Sequence, residues 1–138
     1  MRNTINKGFS LIELIMSLAI MSLIMSITLP NIAILYQSAK EKTLKSMAYS
    51  IQISLERYYL DKGKYPEGSK RPIREILDIL KEHGLINKYP INPLTGQSFQ
   101  RNDTKGIILY SATDDDFYQL DVYGKMNSLL FSIENQDL

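Results

Sequence analysis

The chain has 138 residues, 44% of them hydrophobic, with 16 basic and 15 acidic side chains and a formal charge of +1. That suits one globular domain plus an extension, and neither sign of charge is in enough excess to drive the molecule onto nucleic acid or anionic lipid. The absence of cysteine excludes disulfides and thiolate chemistry, and the one histidine, His83, gives little support to a histidine-rich metal site or a His-based triad.

The first element is an apolar run. From Phe9 to Leu29 the only ionisable side chain is Glu13, and the stretch reaches the roughly 20 residues that a membrane-spanning helix needs. Arg2 and Lys7 precede it, and the next cation is Lys40. This asymmetry predicts a single pass with the N-terminus cytoplasmic and the rest outside. The rival reading, a cleavable secretory signal, expects an apolar core of roughly 7–15 residues and a small-x-small site. Pro30-Asn31-Ile32-Ala33 is a poor site of that kind. An acid inside a membrane helix costs roughly 2.5–3.5 kcal/mol at the centre and less near the interface. Glu13 is thus either a tolerated interfacial acid or a carboxylate awaiting a cation. Pro30 removes one backbone donor and is expected to kink or locally melt the helix.

The helical pattern continues past the apolar run. Leu44, Met47, Ala48, Ile51, Leu55, Tyr58 and Tyr59 form one apolar stripe, while Lys40, Glu41, Lys42, Lys45, Gln52 and Glu56 fill much of the other face. A single helix over residues 9–60 would be about 78 Å long at 1.5 Å per residue. Residues 58–72 read as a loop, with Gly63 a terminator and Pro66 preventing continuation. A second helix is predicted over residues 72–83, with Pro72 at its first position, a stripe of Ile73, Ile76, Leu77 and Leu80, and Gly84 as its stop. His83 sits where it favours the helix dipole. After a turn-rich segment punctuated by Pro90, Pro93 and Gly96, strands are predicted over residues 98–101, 106–113, 117–123 and 128–133, with "NDTKG" and "DDD" as turns. Short connections imply antiparallel neighbours, and the sheet is expected to pack one face on the 44–59 stripe.

"KGFSLIELIMSLAIMSLI" closely resembles the start of type IV prepilins and type II secretion pseudopilins. "YYLDKGKYP" is similar to the end of that family's long helix, and "KYPINPLTGQSF" more loosely to its helix-to-sheet segment. The resemblance implies a leader of residues 1–8, a transmembrane or filament-core helix over residues 9–30, and a periplasmic or extracellular headpiece over residues 31–138. It implies cleavage between Gly8 and Phe9 and N-methylation of Phe9. Glu13 matches the acid that the family places four residues after the new terminus, and Pro30 matches a common proline. The implied fold is α+β and pilin-like: a long N-terminal helix packed on a small antiparallel sheet. The implied role is structural: a major-type type II secretion pseudopilin polymerising into a periplasmic pseudopilus for protein secretion. The lack of a disulfide-closed C-terminal loop favours that over a type IV pilus pilin serving adhesion, motility or competence, a DNA-binding minor pilin included. The implied partners are further copies of the chain, a prepilin peptidase, an inner-membrane assembly platform with its ATPase, and other pseudopilins or pilins.

Residues 9 and 13 are four apart and so share a helix face, which lets Glu13 pair with the Phe9 ammonium of its own chain or, in a filament, of a neighbour. Asp114, Asp115 and Asp116 could supply some of the six to eight oxygens that calcium takes. Major pseudopilins, which this chain resembles, carry a calcium site in their C-terminal loop region, and the resemblance makes the triplet a candidate; its plainer reading is a solvated turn. No other cofactor is indicated. Lys62, Lys64, Lys70, Arg71 and Arg74 gather beside Tyr65, a patch that could bind single-stranded DNA but reads first as a solvated loop. No nucleophile elbow, phosphate loop or other catalytic constellation appears, so no enzyme is expected.

Overall fold

The computed structural model describes residues 8–135, apart from the side chains of residues 29–31. The leader cations Arg2 and Lys7 and the side chain of Pro30 lie outside the described residues. Six elements follow in chain order: α1 (Leu11–Lys62), β1 (Gly68–Pro72), α2 (Ile73–Glu82), β2 (Ile108–Asp114), β3 (Phe117–Tyr123) and β4 (Leu129–Glu134). The strands form one antiparallel sheet in the order β1-β2-β3-β4. This is the α+β, pilin-like architecture that the sequence predicts. The chain divides into two compact units, Met1–Ser38 and Ala39–Leu138.

In the first unit none of the described side chains of α1 is buried. Its described large apolar side chains, among them Leu11, Ile15, Leu18, Leu23 and Leu35, are exposed. Three of its hydroxyls are satisfied by the helix itself: Ser17 donates to the Glu13 carbonyl at 2.7 Å, Ser22 to that of Ala19 at 2.8 Å, and Thr28 to that of Ile24 at 3.2 Å. Such back-bonding removes the need for outside partners, so these polar residues are compatible with an apolar medium.

In the second unit α1 supplies one wall of a core. Leu44, Ala48, Ile51 and Leu55 are buried, and they meet Ile73, Ile76, Leu77 and Leu80 of α2 together with Ile108, Tyr110, Tyr118, Leu120, Val122 and Ile133 of the sheet. The strict alternation of β3, with Tyr118, Leu120 and Val122 inward, is what a half-buried strand requires. Two expected polar-face residues of α1 turn inward instead. Gln52 is fully buried and donates to the Glu134 carbonyl at 3.0 Å. Glu56 accepts hydrogen bonds from Tyr65 at 2.8 Å and Tyr118 at 3.0 Å.

α1 ends as predicted, with Gly63 at φ 73° and its N–H on the Tyr59 carbonyl at 2.7 Å. Two expectations between the helices and the sheet fail. The 58–72 loop contains β1, whose Arg71 and Pro72 pair with Tyr110 and Leu109. The predicted strand over residues 98–101 is only an isolated bridge between Ile91 and Ser98. The segment there is organised around buried Asn92 instead. Its Nδ2 donates to the Lys105 carbonyl at 2.8 Å and to Asp103 and the Gly106 carbonyl at 3.2 Å each, while its Oδ1 accepts from Leu94 N–H at 3.0 Å. Gly106, at φ 64°, lies so close that a Cβ there would sit 2.5 Å from Asn92 Oδ1. α2 begins one residue later than predicted, with Pro72 as its cap, and His83 caps its other end with its N–H on the Ile79 carbonyl at 3.1 Å.

Candidate functional site

The site with chemistry in it is the start of α1. Gly8, Phe9 and Ser10 precede the helix, without regular secondary structure, and are exposed. The bond between Gly8 and Phe9 is therefore in open, non-helical chain. Ser10 occupies the cap position, and Glu13, three residues on, reaches back so that Ser10 N–H donates to its Oε2 at 3.0 Å. This is one half of a capping box, in which the acid satisfies an amide that helix geometry leaves without a partner. Ser-x-x-Glu is present in the sequence as a signal for this contact, but the apolar run around it draws attention to membrane insertion instead. The carboxylate is also favoured by the helix dipole at this end. Glu13 thus holds a backbone donor from its own chain and is an exposed residue.

The Asp114–Asp116 segment is stitched into the headpiece. Asp114 closes β2 opposite Phe117. Asp115 O accepts from Tyr65 N–H at 2.9 Å, Tyr59 OH donates to Asp116 Oδ1 at 2.7 Å, and Asn135 Nδ2 donates to the Asp116 carbonyl at 2.7 Å. Among the described residues no group of three or more Asp, Glu, His or Cys side chains is arranged to hold a metal ion.

The basic patch is largely neutralised. Lys62 pairs with Asp61, Lys64 with Glu67, Arg71 with Glu75 at 2.8 Å and Arg74 with Asp78 at 2.9 Å. Arg74 also lies over the Tyr89 ring, 3.8 Å from its centre. Burial alone would raise the Asp78 carboxyl, but hydrogen bonds from Tyr89 and Arg74 outweigh it and hold the group below the usual carboxylate range. His83 packs edge-on to Tyr58 at 5.2 Å, a capping and packing role.

The tyrosines gather instead as an internal cluster. Tyr59 stacks on Tyr65 at 4.6 Å, Tyr65 meets Tyr118 edge-on at 4.6 Å, and Tyr118 stacks on Tyr110 at 5.9 Å. Burial, with Glu56 close by, pushes the Tyr118 and Tyr65 phenols up, and burial does the same for Tyr110. Tyr59 is raised by its hydrogen bond to Asp116.

Residues 4–29 match the prokaryotic N-terminal methylation motif. The chain thus carries a prepilin-type N-terminus ahead of a pilin-like fold. It is similar to the type IV major pilin protein PilE1 of Neisseria gonorrhoeae, at 33% identity over 67 residues. That match spans 49% of this chain and 41% of the relative, so the chain covers less than half of the relative's length. No solved structure matches the chain significantly.

Proposed function

We propose that this protein is a structural subunit of a type IV filament. The first unit anchors it in the inner membrane, with the N-terminus cytoplasmic. A prepilin peptidase cuts between Gly8 and Phe9, Phe9 is methylated, and copies then polymerise with the help of a membrane platform and its ATPase. The observation that carries this reading is the first half of α1, where every large apolar side chain described between Leu11 and Tyr36 is more than half exposed. Such a surface needs lipid or other helices around it. Exchanging the one for the other keeps it covered before and after assembly.

Glu13 supplies the register in this reading. An uncompensated carboxylate inside an apolar bundle is costly, whereas a paired and hydrogen-bonded one is much less so. The amine freed at Phe9 of a neighbouring copy is the fitting partner. Glu13→Gln and Glu13→Val are therefore expected to leave cleavage intact, by mass of the mature chain, and to abolish sedimentable filaments. Normal filaments from both variants would refute the pairing. A native chain retaining residues 1–8 would refute the processing.

Two settings fit such a subunit. The likeness to a type IV major pilin supports a surface pilus. The absence of cysteine, and with it of a disulfide-closed loop, supports a secretion pseudopilus. Dependence of the filaments on a retraction ATPase would mark the pilus; loss of a secreted protein on deleting the subunit would mark the pseudopilus.

A further inference from the structure

We propose that, before assembly, the end of the second unit at which α1 enters it rests on the anionic surface of the membrane, with Met126 against the lipid and lysines on the headgroup phosphates; this rests on the membrane anchoring proposed above. Side-chain contacts set which end this is. β3 begins beside Tyr59, whose hydroxyl donates to Asp116 at 2.7 Å, and runs back along α1 past Glu56, which Tyr118 reaches at 3.0 Å. β4 returns the other way, with Lys45 over the Phe131 ring, 5.0 Å from its centre, and Gln52 on the Glu134 carbonyl. The β3–β4 turn therefore lies beyond Lys45, at the entry end of α1. It is ordered by its own bonding: Gly124 N–H donates to the Ser128 carbonyl at 2.9 Å, and Asn127 takes a left-handed φ of 53°. Gly106 N–H donates to the Gly124 carbonyl at 3.4 Å, which brings the 102–106 turn alongside.

This end is apolar and basic together. Met126 is 89% exposed and Leu129 55%. Lys42, Lys105 and Lys125 are exposed and hold no ion pair among the described residues. The acids here, Glu41 and Asp103, already hold partners. Asp114, Asp115 and Asp116 close the opposite end of the sheet. An apolar tip flanked by cations suits the boundary between anionic headgroups and acyl chains. The chain itself supplies proximity. Three residues, Gln37, Ser38 and Ala39, separate the exposed apolar Tyr36 from Lys40, and three residues reach about 10 Å at most. One methionine and a few lysines would hold a free domain weakly. Beside their own membrane helix they act at high effective concentration.

The chain has no cysteine of its own, so a dye can be placed at one chosen position. In full-length protein, kept as single subunits in vesicles of mixed phosphatidylcholine and phosphatidylglycerol, a fluorophore on Met126→Cys is expected to be quenched by nitroxide lipids. One on Leu18→Cys, inside the apolar run, should be quenched as well, and one on Asp115→Cys, at the opposite end, should not. Each lysine near an anionic surface is worth about fivefold, so Lys105→Gln with Lys125→Gln should lower the ratio of docked to undocked headpiece about 25-fold. Raised salt should lower it too. Quenching at 18 without quenching at 126 overturns the docking and leaves the anchor standing, whereas quenching at neither overturns both. Quenching at 126 that persists in pure phosphatidylcholine, or that ignores the two lysine substitutions, overturns the match to anionic lipid. A dye at 126 that is free of lipid in single subunits and shielded only in filaments assigns this end to a neighbouring copy and overturns the proposal as well.

Discussion

The two halves of α1 obey opposite rules within one continuous helix. Before Ser38 the apolar residues run all the way round, and none of the described ones is buried. After Ala39 they narrow to a stripe, and Leu44, Ala48, Ile51 and Leu55 disappear into a core made by the same chain. A helix that is apolar all round belongs in lipid or among other helices, while an amphipathic one can be covered by a single domain. The first half is thus built for company, and the second half is complete by itself.

Truncating one leucine on each side is the strongest way to break this comparison. Leu55→Ala should destabilise the headpiece by about 2–5 kcal/mol, the usual cost of such a core deletion. Leu18→Ala, in the exposed half, should change headpiece stability by no more than about 0.5 kcal/mol. Denaturant titration of the full chain in detergent reads both, and equal costs would dissolve the distinction. Next in size is Asn92→Ala. It strands several backbone groups in the 88–106 segment and should cost about 1–3 kcal/mol, with the loss of order confined by amide exchange to that segment. Smallest at neutral pH, and visible only in alkali, is the tyrosine cluster. The folded-state phenols of Tyr65, Tyr110 and Tyr118 lie above their ordinary value of 10.0. The folded state therefore binds more protons than the unfolded one above about pH 10, and stability falls as pH rises through that point. Phenolate absorbance should appear together with loss of the fold, and Tyr118→Phe should soften the fall.

The elements easiest to read in the sequence were those whose pattern and burial agree. The stripe from Leu44 to Leu55 and the alternation of β3 were legible because one face of each meets the core. β1 was not, because "GSKRP" has no strand formers. Its conformation comes from pairing with β2, and Pro72 is tolerated there because it lies at the sheet's edge. The expected strand at residues 98–101 failed for a related reason: Asn92 bonds its neighbours locally and takes the place of a ladder. Gln52 and Glu56 looked like surface residues by type, and only long-range partners, Glu134, Tyr65 and Tyr118, reveal why they turn inward. Of the candidate site, Gly8, Phe9 and Glu13 could be named from sequence alone. The Ser10 amide as the acid's companion was signalled only by the Ser-x-x-Glu spacing, and the geometry brought it out.

In the proposed filament, that companion changes the energetics of joining a second copy. Because Ser10 N–H already sits on Glu13 Oε2, an arriving ammonium meets a carboxylate that is half satisfied, and what it gains is the difference between two bonded arrangements. A difference of this sort is on the order of 1–2 kcal/mol, far less than the apolar contacts along the rod can supply. In the proposed filament the acid would then act as a vernier: apolar contacts supply the pull, but only the alignment that Glu13 selects repeats from copy to copy into a sedimentable filament.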